Sequence, residues 1–304
     1  MSATPLYSVH KATEHDSTEH YGTSRRWQAS LELSFDKPSS GNHGSSNRTR
    51  MARMKFHGPL RVQRPFYPEG SPCHVYLLHP PGGMVSGDRL AIKSSHHDGS
   101  HALITTPAAG KIYRADSWNG VQRQKVALNI GNAICEWLPQ ENIIFNGANA
   151  DLYTRIETTS DSKMIGWELT CLGRPSNEER FTEGSLVQRL EVYCDQTPLL
   201  LERQHLASND GSLDNLASYA SYPVTGTLVA GIFDSAPEAL LEQLRALPEP
   251  EGSRAGVTWR NRLLIIRIVA DKTERCRQYF IDCWGLVRQH LLAIAPSPPR
   301  IWFT

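Results

Sequence analysis

The chain has 304 residues, 32 Lys and Arg against 31 Asp and Glu, 12 His and six Cys. Near-neutral charge removes the electrostatic footing of a general nucleic-acid binder, which must neutralise phosphates. A 39% hydrophobic share with 21% charged residues describes a polar-rich chain that still folds, not a disordered one.

Residues 1 to 24 are polar and irregular and read as a flexible tail; without a basic region leading into an apolar core, they are not a secretory signal. From Arg26 to Phe35 apolar and polar side chains alternate, the period of a half-buried strand. The stretch 37–50, rich in Ser, Gly and Asn, reads as a disordered loop insertion. Short strands between turn residues follow: Cys73–Leu78, Leu90–Lys93, His101–Thr106, Lys125–Ile130, Ile143–Phe145, Asp151–Thr158, Lys163–Cys171, Leu186–Asp195, Leu199–Arg203 and Val224–Phe233. Helical signals come late. Ser235 offers a capping hydroxyl ahead of Pro237 and Glu238, and Leu240, Leu241, Leu244 and Leu247 recur at helical spacing. After a strand at Leu263–Val269, Asp271 or Thr273 caps a longer helix with Cys276, Phe280, Cys283, Trp284, Val287 and Leu291 on one face.

No apolar run reaches the ~20 residues a membrane-spanning helix needs. The six cysteines are scattered, with no C-x-x-C pair, and read as reduced thiols of a cytoplasmic protein. Lys111 lacks the glycine pattern and the following hydroxyl of a phosphate loop, and the GMVSG segment at 83–87 has its Ser in the wrong slot for a nucleophile elbow. His96, His97 and His101 could approach one metal ion, as in a metal-dependent hydrolase, but the segment Ser94–Ser100 reads more simply as a solvated hairpin loop.

Charged residues in apolar or turn-rich settings form a more informative set. Asp88 follows a loop of two Pro and three Gly; Lys111, Tyr113 and Arg114 follow a strand end; Glu136 precedes Trp137; Glu141 precedes Ile143; Glu168 is flanked by Trp167 and Leu169; Arg174 and Glu179 flank a polar turn. Taken singly, each also reads as a surface residue or an exposed ion pair, the latter worth under ~1 kcal/mol.

The segments HGPLRVQRPFYPEG (57–70), HPPGGMVSGDRL (79–90), TTPAAGKIYRAD (105–116), EWLPQENIIFNGA (136–148), WELTCLGRPSNEERFTEG (167–184) and PPRIWFT (298–304) occur in this order. Together they resemble the urease accessory proteins of the D type, called H in some systems, over about Arg25 to Thr304. The resemblance implies one domain over 25–304, mainly β, a distorted β-helix-like stack of short strands with two helices toward the C-terminus. It implies a non-enzymatic maturation factor that joins an F-type accessory protein and a G-type GTPase, docks on urease apoprotein, and helps place nickel in its dinuclear site. It further implies nickel in transit through an internal passage, with no stably bound cofactor. Weak, isolated oxygen ligands suit transit better than a cage, so Asp88, Glu136, Glu168 and Glu179 are the passage acids expected, with Lys111, Tyr113, Arg114, Glu141 and Arg174 supporting them or docking a partner. A structural adaptor that carries no metal is the alternative reading. One departure stands out: the family usually has Gly where this chain has Glu178. Cys135 and Cys171 read as small core residues, and PPRIWFT as a last packed strand or a contact surface.

Overall fold

The alternating segments pair because each strand has one apolar face to bury and a row of backbone groups to satisfy. In the computed structural model, residues 27–38 and 48–303 are described. Their strands are β1 (Gln28–Asp36), β2 (Arg50–His57), β3 (Arg61–Val62), β4 (Cys73–Leu78), β5 (Arg89–His96) and β6 (His101–Thr105). Next come β7 (Gly110–Ile112), β8 (Gln122–Ile130), β9 (Ile134–Trp137), β10 (Asn142–Ile144), β11 (Asn149–Thr158) and β12 (Lys163–Leu172). The last are β13 (Ser185–Cys194), β14 (Thr197–Ala207), β15 (Val224–Gly231), β16 (Ser253–Arg260) and β17 (Leu263–Ala270), with helices α1 (Glu238–Arg245) and α2 (Thr273–Leu292).

The strands form two sheets. One runs β14-β13-β11-β8-β5-β1-β2; the other runs β16-β17-β15-β12-β9-β6-β4-β3, with β10 and β7 attached beside β12. From β4 to β13 the chain passes back and forth between the sheets, and within each sheet successive strands pair in parallel. The result is a mainly β coiled stack, as expected. Its turns are unequal: Arg89 pairs with Arg123, Gln122 with Ala150 and Asn149 with Ser185, offsets of 34, 28 and 36 residues. Spacing that irregular leaves no repeat to read in the sequence. Antiparallel hairpins close the stack. Two of them turn on residue pairs with positive φ, Asp195-Gln196 and Asn261-Arg262, the twist that two-residue hairpins favour.

Two apolar layers result. Leu31, Phe35, Ile92, Val126, Leu128, Ile156 and Val192 fill the space between the sheets. Trp167, Leu169, Phe280, Cys283 and Trp284 fill the space between the larger sheet and the helices. Each fully buried aliphatic or aromatic side chain contributes about 1.5–3 kcal/mol relative to exposure. Cys276 and Cys283 share the buried face of α2 as expected, and Cys135 and Cys171 are likewise buried, with burial pushing the Cys171 thiol up to about 12.

Several expectations are corrected. Neither helix has a side-chain cap: α1 starts after Pro237 and α2 after Lys272. Asp271 instead receives Arg275, one helical turn on, at 2.7 Å. The 37–50 insertion ends earlier than expected, because Arg50 opens β2 and reaches Asp36 at 2.6 Å; residues 39–47 and the 1–24 tail with His10, His15 and His20 lie outside the described residues. Ser94–Ser100 is not a hairpin loop, since β5 and β6 belong to different sheets and His96 is buried, stacked on Phe35. PPRIWFT forms a short 3-10 turn at Arg300–Phe303 in place of a strand, and its buried Trp302 donates to Thr105 Oγ1 at 2.9 Å.

Candidate functional site

A polar seam interrupts the apolar layer between the sheets. Alternation turns Thr154 of β11, Gln188 of β13, and Glu202 and Gln204 of β14 inward. Opposite them stand Glu168 and Thr170 of β12 and Thr227 of β15, with Glu168 directly beside Thr227 in the ladder. Thr154 Oγ1 donates to one oxygen of Glu168, and Gln188 Nε2 donates to the other at 2.8 Å. Thr170 Oγ1 donates to Gln188 Oε1 at 3.0 Å. Glu202 accepts from Gln204 at 3.0 Å, from Thr227 at 3.4 Å and from Arg267 at 2.6 Å, and Tyr219 donates to Gln204 at 3.1 Å.

A cavity of about 320 Å³ reaches this seam. Thr154 and Glu168 line it together with the apolar Leu77, Met84, Leu90 and Trp137, and the exposed Gly82 and Lys111 stand at its mouth with the half-buried His79. A second cavity of about 540 Å³, with Gln204, Tyr219, Arg254 and Arg267 among its walls, lies at the other end of the seam. Burial pushes the Glu168 carboxyl up; the bonds from Thr154 and Gln188 offset part of that, and the charge of Glu202 adds to it. Glu168 has no ion-pair partner among the described residues. Glu202, Gln188 and Arg267 escaped the sequence reading. Glu202 follows three leucines, and nothing local tells which face of β14 is covered.

Glu136 lies elsewhere, on the face of the larger sheet that α2 covers. Its carboxylate meets His101 Nε2 at 2.6 Å, Trp284 Nε1 at 2.6 Å and Arg288 Nε at 3.2 Å. Arg288 also grips both oxygens of Glu69, at 2.8 and 2.7 Å, and Glu69 meets His74 Nε2 at 2.6 Å. Burial alone would raise both acids, but for Glu136 the hydrogen bond and charge of His101 and the charge of Arg288 outweigh it. For Glu69 the bonds from His74 and Arg288 do the same, holding it down to about 2. This network ties α2 to the sheet, and every oxygen of Glu136 is occupied.

The other residues singled out in the sequence occupy separate places. Asp88 is buried and accepts from the backbone N–H groups of Trp27 at 3.2 Å and Val85 at 2.9 Å, closing the turn before β5. Lys111 is exposed at the cavity mouth, where its carbonyl accepts from Met84 N at 2.8 Å. Tyr113 packs edge-on against Phe145, 5.0 Å between centroids. Arg114 pairs with Glu183 on the surface. Glu141 meets Arg277 of α2 at 3.3 Å. Arg174 pairs with Glu179 across a 3-10 turn and stacks over Phe145. In that turn Glu178 adopts φ +59, the left-handed region where glycine is favoured.

His96, His97 and His101 do not converge. His96 Nε2 meets Ser94 Oγ at 2.9 Å inside the stack, His97 meets Ser34 Oγ at 3.1 Å on the surface, and His101 is bound to Glu136. Among the described residues no group of three or more His, Cys, Asp or Glu could hold a metal ion, and no helix is long and apolar enough to cross a membrane.

The fold and site thus define a two-sheet β stack with an acid-bearing polar seam between cavities. The model of the family described as UreD urease accessory protein matches residues 28–303. Urease accessory protein UreD of Klebsiella aerogenes is 43% identical over 278 residues, covering 91% of this chain and 97% of its own length. That of Marinobacter nauticus is 41% identical over 294 residues, covering 95% and 97%, and that of Citrobacter koseri 40% over 301 residues, covering 98% and 100%. The chain belongs to the UreD family of urease accessory proteins.

Proposed function

We propose that this protein serves urease maturation in the cytoplasm as an accessory subunit, not as a catalyst. It works in complex with an F-type accessory protein and a G-type GTPase, docked on urease apoprotein, and nickel moves through its seam. Glu168 carries this reading. It is a half-buried carboxyl held by neutral donors and facing a cavity, so a divalent cation arriving there supplies the charge its surroundings lack.

Two hydrogen-bonded oxygens form a shallow stop. Six ligands would trap the ion, whereas one carboxylate with hydroxyl and amide oxygens (Thr154, Thr170, Gln188) lets it go on. Glu202 offers the next carboxylate along the seam, and Arg267 competes for it, which keeps that stop weak as well. Asp88, Glu136 and Glu179 act in this scheme through the shape of the body: a closed turn, a tethered helix and a fixed loop.

The test is reconstitution with purified partners. Glu168→Ala is expected to leave complex assembly intact and to lower the nickel content of the urease produced. Normal nickel content with assembly intact would remove the passage and leave the adaptor reading.

A further inference from the structure

Six large apolar side chains are strongly exposed among the described residues, and three of them surround one turn. Trp27 is 60%, Val85 51% and Trp118 61% exposed. The backbone N–H groups of Trp27 and Val85 share the Asp88 carboxylate. Trp118 is drawn to the same place because its N–H donates to Asp116, whose own N–H donates to Ser86 Oγ at 2.7 Å. Hydrogen bonds therefore fix the backbone under all three side chains while leaving the side chains in solvent.

Next to this patch begins the solvent face of β1, β2, β5 and β8. Register and burial turn Arg53, Lys55, Arg89, Lys93, Arg123 and Lys125 outward there; the acids on that face are Glu32 and Asp36, the latter paired with Arg50, and Arg123 meets Asp151 of the neighbouring β11 at 3.4 Å. The whole chain carries a net charge of only +1, so the cations are concentrated. Arg89 adjoins the patch, its N–H donating to the Trp27 carbonyl at 2.9 Å, and its side chain has no ion-pair partner among the described residues. Exposed tryptophans on a fixed backbone beside unpaired arginine are the composition of an interface centre and its rim.

We infer that the Trp27–Val85–Trp118 patch is a docking surface for a partner protein that presents an apolar anchor ringed by carboxylates. This rests on the reading of the chain as an assembly subunit. Charge complementarity selects the partner: an acidic rim meets Arg89 and the cationic face behind it. Val85 of the patch directly follows Met84, a buried residue that lines the cavity.

The test titrates the immobilised full chain separately with the F-type accessory protein and with urease apoprotein. Trp118→Ala and Trp27→Ala are each expected to weaken one of these complexes by about tenfold or more. Arg89→Glu is expected to slow association several-fold at low salt, a difference that shrinks near ~0.5 M salt. Unchanged circular dichroism and melting temperature establish that the variants fold. Wild-type affinity in all three variants overturns the docking surface and leaves the maturation role standing, whereas no binding of either protein by the wild-type chain overturns both. Self-association of the free chain abolished by Trp118→Ala would assign the patch to a second copy, and oligonucleotide binding lost in Arg89→Glu would assign it to nucleic acid; either overturns the proposal.

Discussion

Arg288, on the penultimate turn of α2 and with no side-chain exposure, holds both oxygens of Glu69 while its Nε reaches the equally buried Glu136. One guanidinium thus bridges two carboxylates from distant parts of the chain, and two imidazoles complete the set. Removing one member of a buried ion pair leaves its partner's charge unsolvated, which costs more than the pair contributes. Arg288→Met is therefore expected to destabilise the protein by roughly 3–5 kcal/mol. Adding Glu136→Gln should restore part of that, as read by urea denaturation; full additivity of the two changes would deny their coupling.

Acid should act on the same network. Glu69 is held down to about 2 from an ordinary 4.5. Its contribution is fully present above pH 4.5 and is lost as the pH falls toward 2, on the order of 3 kcal/mol at most. Melting temperature between pH 6 and pH 3 should fall more steeply for the wild type than for Glu69→Gln. Parallel curves would show that the bonds from His74 and Arg288 do not hold the charge.

Glu168 has the opposite sign. Burial raises its carboxyl, so the folded state binds the proton more tightly than the unfolded chain, and stability falls as pH rises through the folded value. Glu168→Gln removes that loss and should raise the melting temperature at neutral pH by a few degrees while lowering nickel delivery. Stability and delivery falling together would point to a structural role only.

Glu178 sits at φ +59 in the turn between Arg174 and Glu179, where a side chain costs about 1 kcal/mol that glycine avoids. The turn is tight: a Cβ on Gly173 would collide with the Glu179 carbonyl. Glu178→Gly is expected to stabilise by ~0.5–1 kcal/mol in chemical denaturation, since the gain in the turn exceeds the added freedom of the unfolded chain. Loss of stability would mean that the Glu178 side chain makes a compensating contact.

Trp302 packs against Trp167 and Trp284, with centroids 5.2 and 5.5 Å away, and donates to Thr105. Trp302→Ala should cost about 3–5 kcal/mol. Trp302→Phe should cost less, about 1–3 kcal/mol, because it keeps most of the packing but leaves Thr105 Oγ1 without its donor. A destabilisation below ~1 kcal/mol in the alanine variant would show that the C-terminal turn is not seated on the core.

Most strands were legible because alternation is local: Asp151–Thr158 and Cys73–Leu78 lie within or on β11 and β4. The apolar face of α2 was legible for the same reason, at its own period. The ordered motifs from residue 57 to the C-terminus were enough to point to the family. Strand β16 alternates as well, but arginine and glycine dilute Ala255, Val257 and Trp259, so its period does not stand out from the sequence. That Glu136 is buried and Glu168 half-buried could not be read, because a strand's second face is wet or dry according to what covers it.

The amino-acid sequence by itself determined where most strands and both helices form, and the family to which the motifs belong. The tertiary structure alone decided that Glu168 faces a cavity while Glu136 is locked under α2, and that Glu202 and Arg267 join the seam. Periodicity assigns a side chain to a face of its own strand, but unequal turns of the coil decide which strand lies opposite. Solvation and charge pairing depend on that neighbour.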